Sequence, residues 1–186
     1  MTTDQVLILV DENDNPTGKY ARKEKAHTQE GLKHRAFSVL MYNEKGEVLL
    51  QKRKHRLWDG LMDLSATSHC LHFDNYDESY EAAVKRALIE ELGIVSPVGI
   101  FKVGGFSYFE KHKRSFCENE YCAVFLAKFT GKPKINKKVV YSIKWQKVNS
   151  FLRDVRKNPK KYTPWAILAA QQFEKINIAK LINPPE

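Results

Sequence analysis

The chain has 186 residues and a formal net charge of +9, with 42% apolar, 28% charged and 11% aromatic types. That balance excludes a disordered, collagen-like or low-complexity chain and provides enough apolar side chains for a sizeable core. Residues 1–100 carry 13 Lys+Arg against 16 Asp+Glu and residues 101–186 carry 18 against 6, an excess that can steer an anionic ligand or simply coat a soluble surface with lysine. No apolar run approaches the ~20 residues of a membrane span. The first apolar run, Val6 to Val10, follows Asp4 with no basic stretch before it, so no secretory signal is expected. Cys70, Cys117 and Cys122 are too few and odd in number for a disulfide scaffold, which makes a reducing, cytoplasmic setting the expectation.

Val6 to Val10 reads as a buried strand closed by the turn cluster Asn13 to Gly18. Polar Lys19 to Lys33 reads as a connection containing His27 and ending near His34. Ala36 to Tyr42, the turn Asn43 to Gly46 and Glu47 to Gln51 predict a hairpin. The segment Leu61 to Cys70 fits helix or strand equally. From Asp77 to Leu92 the apolar positions Tyr80, Ala83, Val84, Ala87 and Leu88 recur at helical spacing. Asp77, Glu78 and Glu81 crowd the start, where the helix dipole favours negative charge, and Gly93 is placed to end it. Strand-like runs follow at Val98 to Phe109, Phe116 to Phe129 and Val139 to Val148, the first two separated by the charged tip Glu110 to Ser115. From Asn149 onward the pattern is one or two helices interrupted by Pro159 and Pro164. No repeat, Gly/Ser linker or composition break argues for a division, so residues 1–186 read as one α/β domain of mixed sheet flanked by helices.

The predicted helix carries the first chemical signal. Glu78, Arg86, Glu90, Glu91, Gly93 and Ile94 fall in the pattern of the Nudix box, and the sequence resembles the Nudix superfamily there. His72 stands where the box has its leading glycine, and Ala87 replaces the glutamate that follows its arginine. Helix-borne carboxylates suit Mg2+, which in turn bridges phosphate oxygens. An Arg86–Glu90 pair four apart is also an ordinary feature of a solvated helix face.

A second set of residues narrows the resemblance. From Val6 to about Phe173 the sequence is similar to type 1 isopentenyl diphosphate isomerase, a family with the Nudix fold. The resemblance implies a metal site of three histidines and two glutamates at His27, His34, His69, Glu118 and Glu120, an ion such as Mn2+ or Zn2+, and a Mg2+ on the diphosphate held with the help of Glu91. Glu118 and Glu120 stand at i and i+2 on a predicted strand and so project from one face. It further implies Glu120 and Tyr108 as catalytic groups, Trp165 over the reacting carbons, where an indole face stabilises developing positive charge, and Lys23 and Arg53 on the diphosphate. The residues alone also admit a packed Trp165 and a solvated Lys23.

The family reaction protonates one carbon and removes a proton from its neighbour, on opposite faces of the substrate. Glu120 holds one of these positions. At the other the family has a cysteine, and this chain has Thr67. A thiol ionises near pH 8.5 whereas an alcohol does not ionise appreciably at neutral pH; Thr67 can orient a water or relay a proton. Ala87 falls where bacterial isomerases place a diphosphate-binding arginine. Cys70 and Cys122 read as buried small residues.

The resemblance thus implies a metal-dependent enzyme acting on a small diphosphate-bearing metabolite, by double-bond isomerisation. Hydrolysis of a diphosphate bond, with Mg2+ on Glu78, Glu90 and Glu91 activating water, is the alternative. A non-catalytic diphosphate or RNA binder is a third. The basic stretches Lys132 to Lys147 and Arg153 to Tyr162 carry no nucleic-acid motif, so nucleic acid is not the expected partner. A monomer is the default.

Overall fold

The computed structural model describes residues 5–28, 30–95, 98–113 and 115–182. The chain opens with β1 (Val6–Val10) and β2 (Pro16–Arg22), an antiparallel pair. The Asp11 carboxylate accepts the backbone N–H groups of Asn13 and Asn15 and so ties the turn between them. β2 occupies residues assigned by pattern to the turn and connection. Only Ala21 of its seven residues is buried, so this edge strand shows no apolar alternation to mark it. The four-residue α1 (Lys23–Ala26) follows.

β3 (His34–Tyr42) and β4 (Glu47–Arg53) form the expected hairpin. The Asn43 side chain accepts from Lys45 N and Glu47 N across its turn. The ladder is short, Met41 opposite Leu49 and Tyr42 opposite Val48. Nearer the start of β3 the place alongside is taken by β6 (Ala66–His69), while β5 (Met62–Asp63) pairs with β4. Leu61 to Cys70 is therefore two short strands. β7 (Leu71–Phe73) and β8 (Tyr76–Asp77) make a small hairpin beside β1.

α2 spans Tyr80–Leu92, capped by Ser79, whose side chain accepts from Ala82 N, and closed by Gly93 in the left-handed region at φ 62°. The helix starts later than its acidic residues suggest: Asp77 belongs to β8 and Glu78 precedes the cap. The Glu78 carboxylate is turned onto Arg86, and Ser79 is the residue with a short hydroxyl able to reach the first free N–H groups.

β9 (Val98–His112) and β10 (Phe116–Lys128) form the long hairpin, and β11 (Val140–Lys147) pairs with β4. α3 (Val148–Lys157), a 3-10 turn at Pro159–Lys161, α4 (Pro164–Lys175) and α5 (Ile178–Ile182) complete the described chain. Both prolines act as expected. Pro159 opens the 3-10 turn, and Pro164 takes the first position of α4 behind the Thr163 cap.

β3 is the middle of a mixed sheet, parallel to β10 on one side and shared by β6 and β4 on the other. Phe37, Val39, Met41 and Leu49 face Val84, Leu88 and Leu92 of α2. Leu40, Val48, Leu50, Val124 and Leu126 face Phe151 and Val155 of α3 and Ala169 and Phe173 of α4. Being covered on both faces, β3 reads as a nearly continuous apolar run rather than an alternating one. A slip of β3 by one residue would exchange the two sets, so its register is strongly specified.

Gly93 is a sharp test of how α2 ends. A Cβ there would require a left-handed conformation and lie 3.0 Å from the Lys134 carbonyl oxygen. Gly93→Ala is expected to cost about 1–2 kcal/mol in urea unfolding; an unchanged midpoint would contradict the assigned cap.

Candidate functional site

One loop and three strands bring five titratable side chains to one point. His27 follows α1, where its carbonyl accepts from Cys117 N and Thr28 bridges to Phe116, pinning this loop to β10. Gly31, at φ 68°, lets the loop pass where a Cβ would come within 2.6 Å of Cys117 Sγ. His34 opens β3 directly opposite Glu120 of parallel β10. His69 ends β6 opposite Ala36. Glu118 and Glu120 share one face of β10, as their i, i+2 spacing requires.

All five are buried, and one ligand atom from each lies within 4.8 Å of every other. His27 Nε2 is 2.8 Å from Glu118 Oε2, His69 Nε2 is 3.0 Å from Glu120 Oε1, and His34 Nε2 is 3.5 Å from Glu120 Oε1. The Nδ1 atoms of His27 and His34 lie 2.6 and 2.7 Å from the carbonyl oxygens of Lys23 and Leu32. A carbonyl only accepts, so these nitrogens carry the hydrogen and Nε2 turns a lone pair inward. Although His27 Nε2 and Glu118 Oε2 are close, neither has a hydrogen-bond partner of acceptable geometry, and His34 Nε2 has none either. His69 Nε2 is hydrogen-bonded to Glu120 Oε1, but the unpartnered His27 Nε2, His34 Nε2 and Glu118 Oε2, buried and converging on one point, fit a cation, and imidazole with carboxylate suits a divalent transition metal.

The two carboxylates differ. Burial and the charge of Glu120 push Glu118 above the usual carboxylate range. Glu120 resists the same burial because the imidazoles of His34 and His69 lie against its charged form, His69 in hydrogen-bond contact, and it stays well below that range. Tyr108, opposite Glu120 in the β9–β10 ladder, donates its hydroxyl to Glu120 Oε2 at 2.6 Å.

Thr67, two residues before His69 on β6, faces the same side. Its hydroxyl donates to Asp63 Oδ2 and accepts from Arg53 Nη1, each at 3.0 Å. Arg53 Nη1 also donates to Asp63 Oδ2 at 2.8 Å, and its guanidinium lies 4.9 Å from the Trp165 ring centroid. Trp165 Nε1 donates to the Asp63 carboxylate at 2.9 Å. Thr67, Arg53 and Trp165 are thus gathered around a residue that sequence reasoning did not single out. Asp63 lies in a two-residue strand with no pattern to mark it. Trp58 was missed as well; it packs edge-on against Trp165 at 5.2 Å and against His112 at 4.5 Å. Lys23 is half-buried, its ammonium pushed down by burial against the pull of Glu118. His55 is pushed down to about 3 by burial and by the charges of Arg53 and Lys23.

The helix-borne acids do not converge in the same way. Glu78 is bound to Arg86 through both oxygens and accepts Leu71 N. Glu90 lies on the exposed face, 3.5 Å from Arg86 Nη1. Glu91 is buried and accepts from Gln51 Nε2 at 2.7 Å. Cys70 and Cys122 are buried, Cys122 Sγ lying 3.4 Å from Ser38 Oγ.

Burial pushes Glu91 up to about 7, against the lowering effect of Gln51. The unfolded chain ionises this carboxyl near its ordinary 4.5, so its contribution to stability is present below that pH and is lost as pH rises through about 7. In metal-free buffer Glu91→Gln is therefore expected to raise the melting temperature at pH 8, the gain shrinking toward pH 5. An equal shift at both pH values would contradict the buried, uncompensated carboxylate.

The sequence matches the NUDIX domain over residues 32–166. Isopentenyl-diphosphate Delta-isomerase 2 of Photorhabdus laumondii is 37% identical over 164 residues, covering 87% of this chain and 88% of its own. Isopentenyl-diphosphate Delta-isomerase of Serratia proteamaculans is 31% identical over 179 residues, covering 92% and 96%. A solved structure from Deinococcus radiodurans superposes with a TM-score of 0.68 over 91% of this chain and 99% of its own, at 18% identity, a likeness of fold alone. With the domain matched over most of its length and relatives this similar end to end, the chain belongs to the Nudix family and, within it, to the enzymes of the isopentenyl-diphosphate Delta-isomerase group.

Proposed function

We propose that the chain is a divalent-metal-dependent enzyme that interconverts isopentenyl and dimethylallyl diphosphate. His27, His34, His69, Glu118 and Glu120 would hold a Mn2+ or Zn2+ ion, and Glu91 would help hold Mg2+ on the diphosphate. The observation that carries this reading is the convergence of five buried ligand atoms, one of them on a glutamate whose other oxygen is bonded to Tyr108. An ion held there would supply the positive charge that lets two carboxylates share a buried site.

Within this reading Glu120 and Tyr108 move a proton at Glu120 Oε2. Arg53 binds the diphosphate with a guanidinium that Asp63 and Thr67 hold in place through Nη1. Lys23 adds charge nearby. Trp165 turns its ring toward the same group and suits a carbon bearing positive charge. The alternative, hydrolysis at Glu78, Glu90 and Glu91, is less well supported, because Glu78 is taken up by Arg86 and the three form no common ligand cluster among the described residues. The described residues are taken as one domain, since both cores share β3, and the setting as cytoplasmic, in keeping with a cysteine count too low and odd for a disulfide scaffold.

Incubation with isopentenyl diphosphate, Mg2+ and Mn2+, followed by NMR and by a phosphate assay, tests the proposal. Dimethylallyl diphosphate should form without phosphate release, and Glu120→Gln should lower the rate on the order of 100-fold or more. Release of phosphate or a monophosphate would favour the hydrolase, and no change in the substrate would favour a binding protein.

A further inference from the structure

We propose that Asp63, acting through the Thr67 hydroxyl, takes up the proton that the isomerisation removes from carbon, complementing the delivery of a proton by Glu120. This inference rests on the isomerase reading above. Asp63 is fully buried between Met62 and Leu64, a position where a carboxylate is costly unless it is paired and hydrogen-bonded. Every partner it has is a donor: Arg53 Nη1 at 2.8 Å, Leu64 N at 2.8 Å, Trp165 Nε1 at 2.9 Å, Thr67 Oγ1 at 3.0 Å and Thr163 Oγ1 at 3.1 Å. The group is therefore an acceptor throughout, as only the ionised form can be.

The geometry also fixes what Thr67 presents. Its single hydrogen points to Asp63 Oδ2, and one lone pair takes the Arg53 N–H. What remains, on a partly exposed side chain sharing the strand face of His69, is a lone pair. Thr67 is thus set to accept a proton rather than give one, and it can keep accepting only by passing its own hydrogen inward.

The step balances. A C–H bond next to a carbon bearing positive charge breaks, its electron pair becoming the new double bond. The proton goes to Thr67 Oγ1 as the hydroxyl hydrogen moves to Asp63 Oδ2, and returns through Thr67 to water once the product has left. A proton beside a cationic carbon is released to far weaker acceptors than a thiolate, so a carboxylate steadied by Arg53 suffices. Because the same Arg53 nitrogen bonds both members of the pair, a diphosphate bound by this guanidinium is held where the relay begins.

Deuterium separates this role from simple support of the fold. In D2O with isopentenyl diphosphate, Mg2+ and Mn2+, Thr67→Ala and Asp63→Asn should each lower kcat for dimethylallyl diphosphate on the order of 100-fold. Both should still wash deuterium into the terminal methylene of unconverted substrate, because protonation through Glu120 survives, and Glu120→Gln should not. Thr67→Ser, which keeps the hydroxyl, should recover most of what Thr67→Ala loses. Turnover by Thr67→Ala or Asp63→Asn close to wild type, or loss of exchange together with turnover, would overturn the relay. If Asp63→Asn loses its circular dichroism spectrum, Thr67→Ala and Thr67→Ser decide. Absence of turnover by the wild type would overturn the isomerase reading, and the relay with it.

Discussion

The register between β3 and β10 is the constraint on which the site depends. His34 is the first residue of β3 and stands directly opposite Glu120, which places one histidine beside the glutamate pair before any side chain has chosen a rotamer. β6 lies on the other flank of β3 with His69 opposite Ala36, so the third histidine arrives by the same ladder. His27 comes from a loop, but that loop is itself bonded to Cys117 at the base of β10. A one-residue slip would carry His34 to the opposite face, and the apolar layers beneath α2 and α4 oppose that slip with most of the buried surface of the molecule. The packing that stabilises the sheet is therefore what holds the ligands together.

Burial is what makes these groups chemically useful and also what makes them expensive. Glu118 and Glu120, two of the few acids in a basic half of the chain, are withdrawn from water side by side, a placement that leaves Glu118 pushed up and Glu120 held down by imidazoles. Asp63 is satisfied by donors from β4, β6 and α4 at once, tying the sheet to α4 through hydrogen bonds as well as apolar contact. Two buried anionic centres of different kinds are thus present: one whose ligand atoms converge on a point, and one hydrogen-bonded on all sides by the protein. The excess of lysine elsewhere then has the modest meaning of a solvated, anion-attracting surface.

Much of the fold could be read before the structure because its elements carry strong patterns. The β3–β4 hairpin has its Asn43–Gly46 turn, α2 has its apolar stripe and Gly93, and the long β9–β10 hairpin has two unmistakable strand runs. What escaped were elements whose burial leaves no periodic trace. β2 is exposed along almost its whole length, β6 is four residues of small and polar types, and β5 is two residues long. The five-residue cluster was legible through its resemblance to a family, since no spacing rule joins His27 to Glu120. Asp63 and Trp58 were not, because their importance lies in partners far away in sequence, Thr163 and Trp165 for one and His112 and Trp165 for the other. Conversely Glu78, conspicuous as a candidate metal ligand at a helix start, is held by Arg86 eight positions on, whereas the four-residue spacing rule pairs that arginine with Glu90.

The converging ligand atoms of His27, His34, His69, Glu118 and Glu120 can be tested without reference to turnover. Crystals grown with Mn2+ and measured at the manganese absorption edge should show one anomalous peak ligated by all five side chains. A peak confined to the carboxylates of α2, or none at the five-residue cluster, would contradict the assignment of the site.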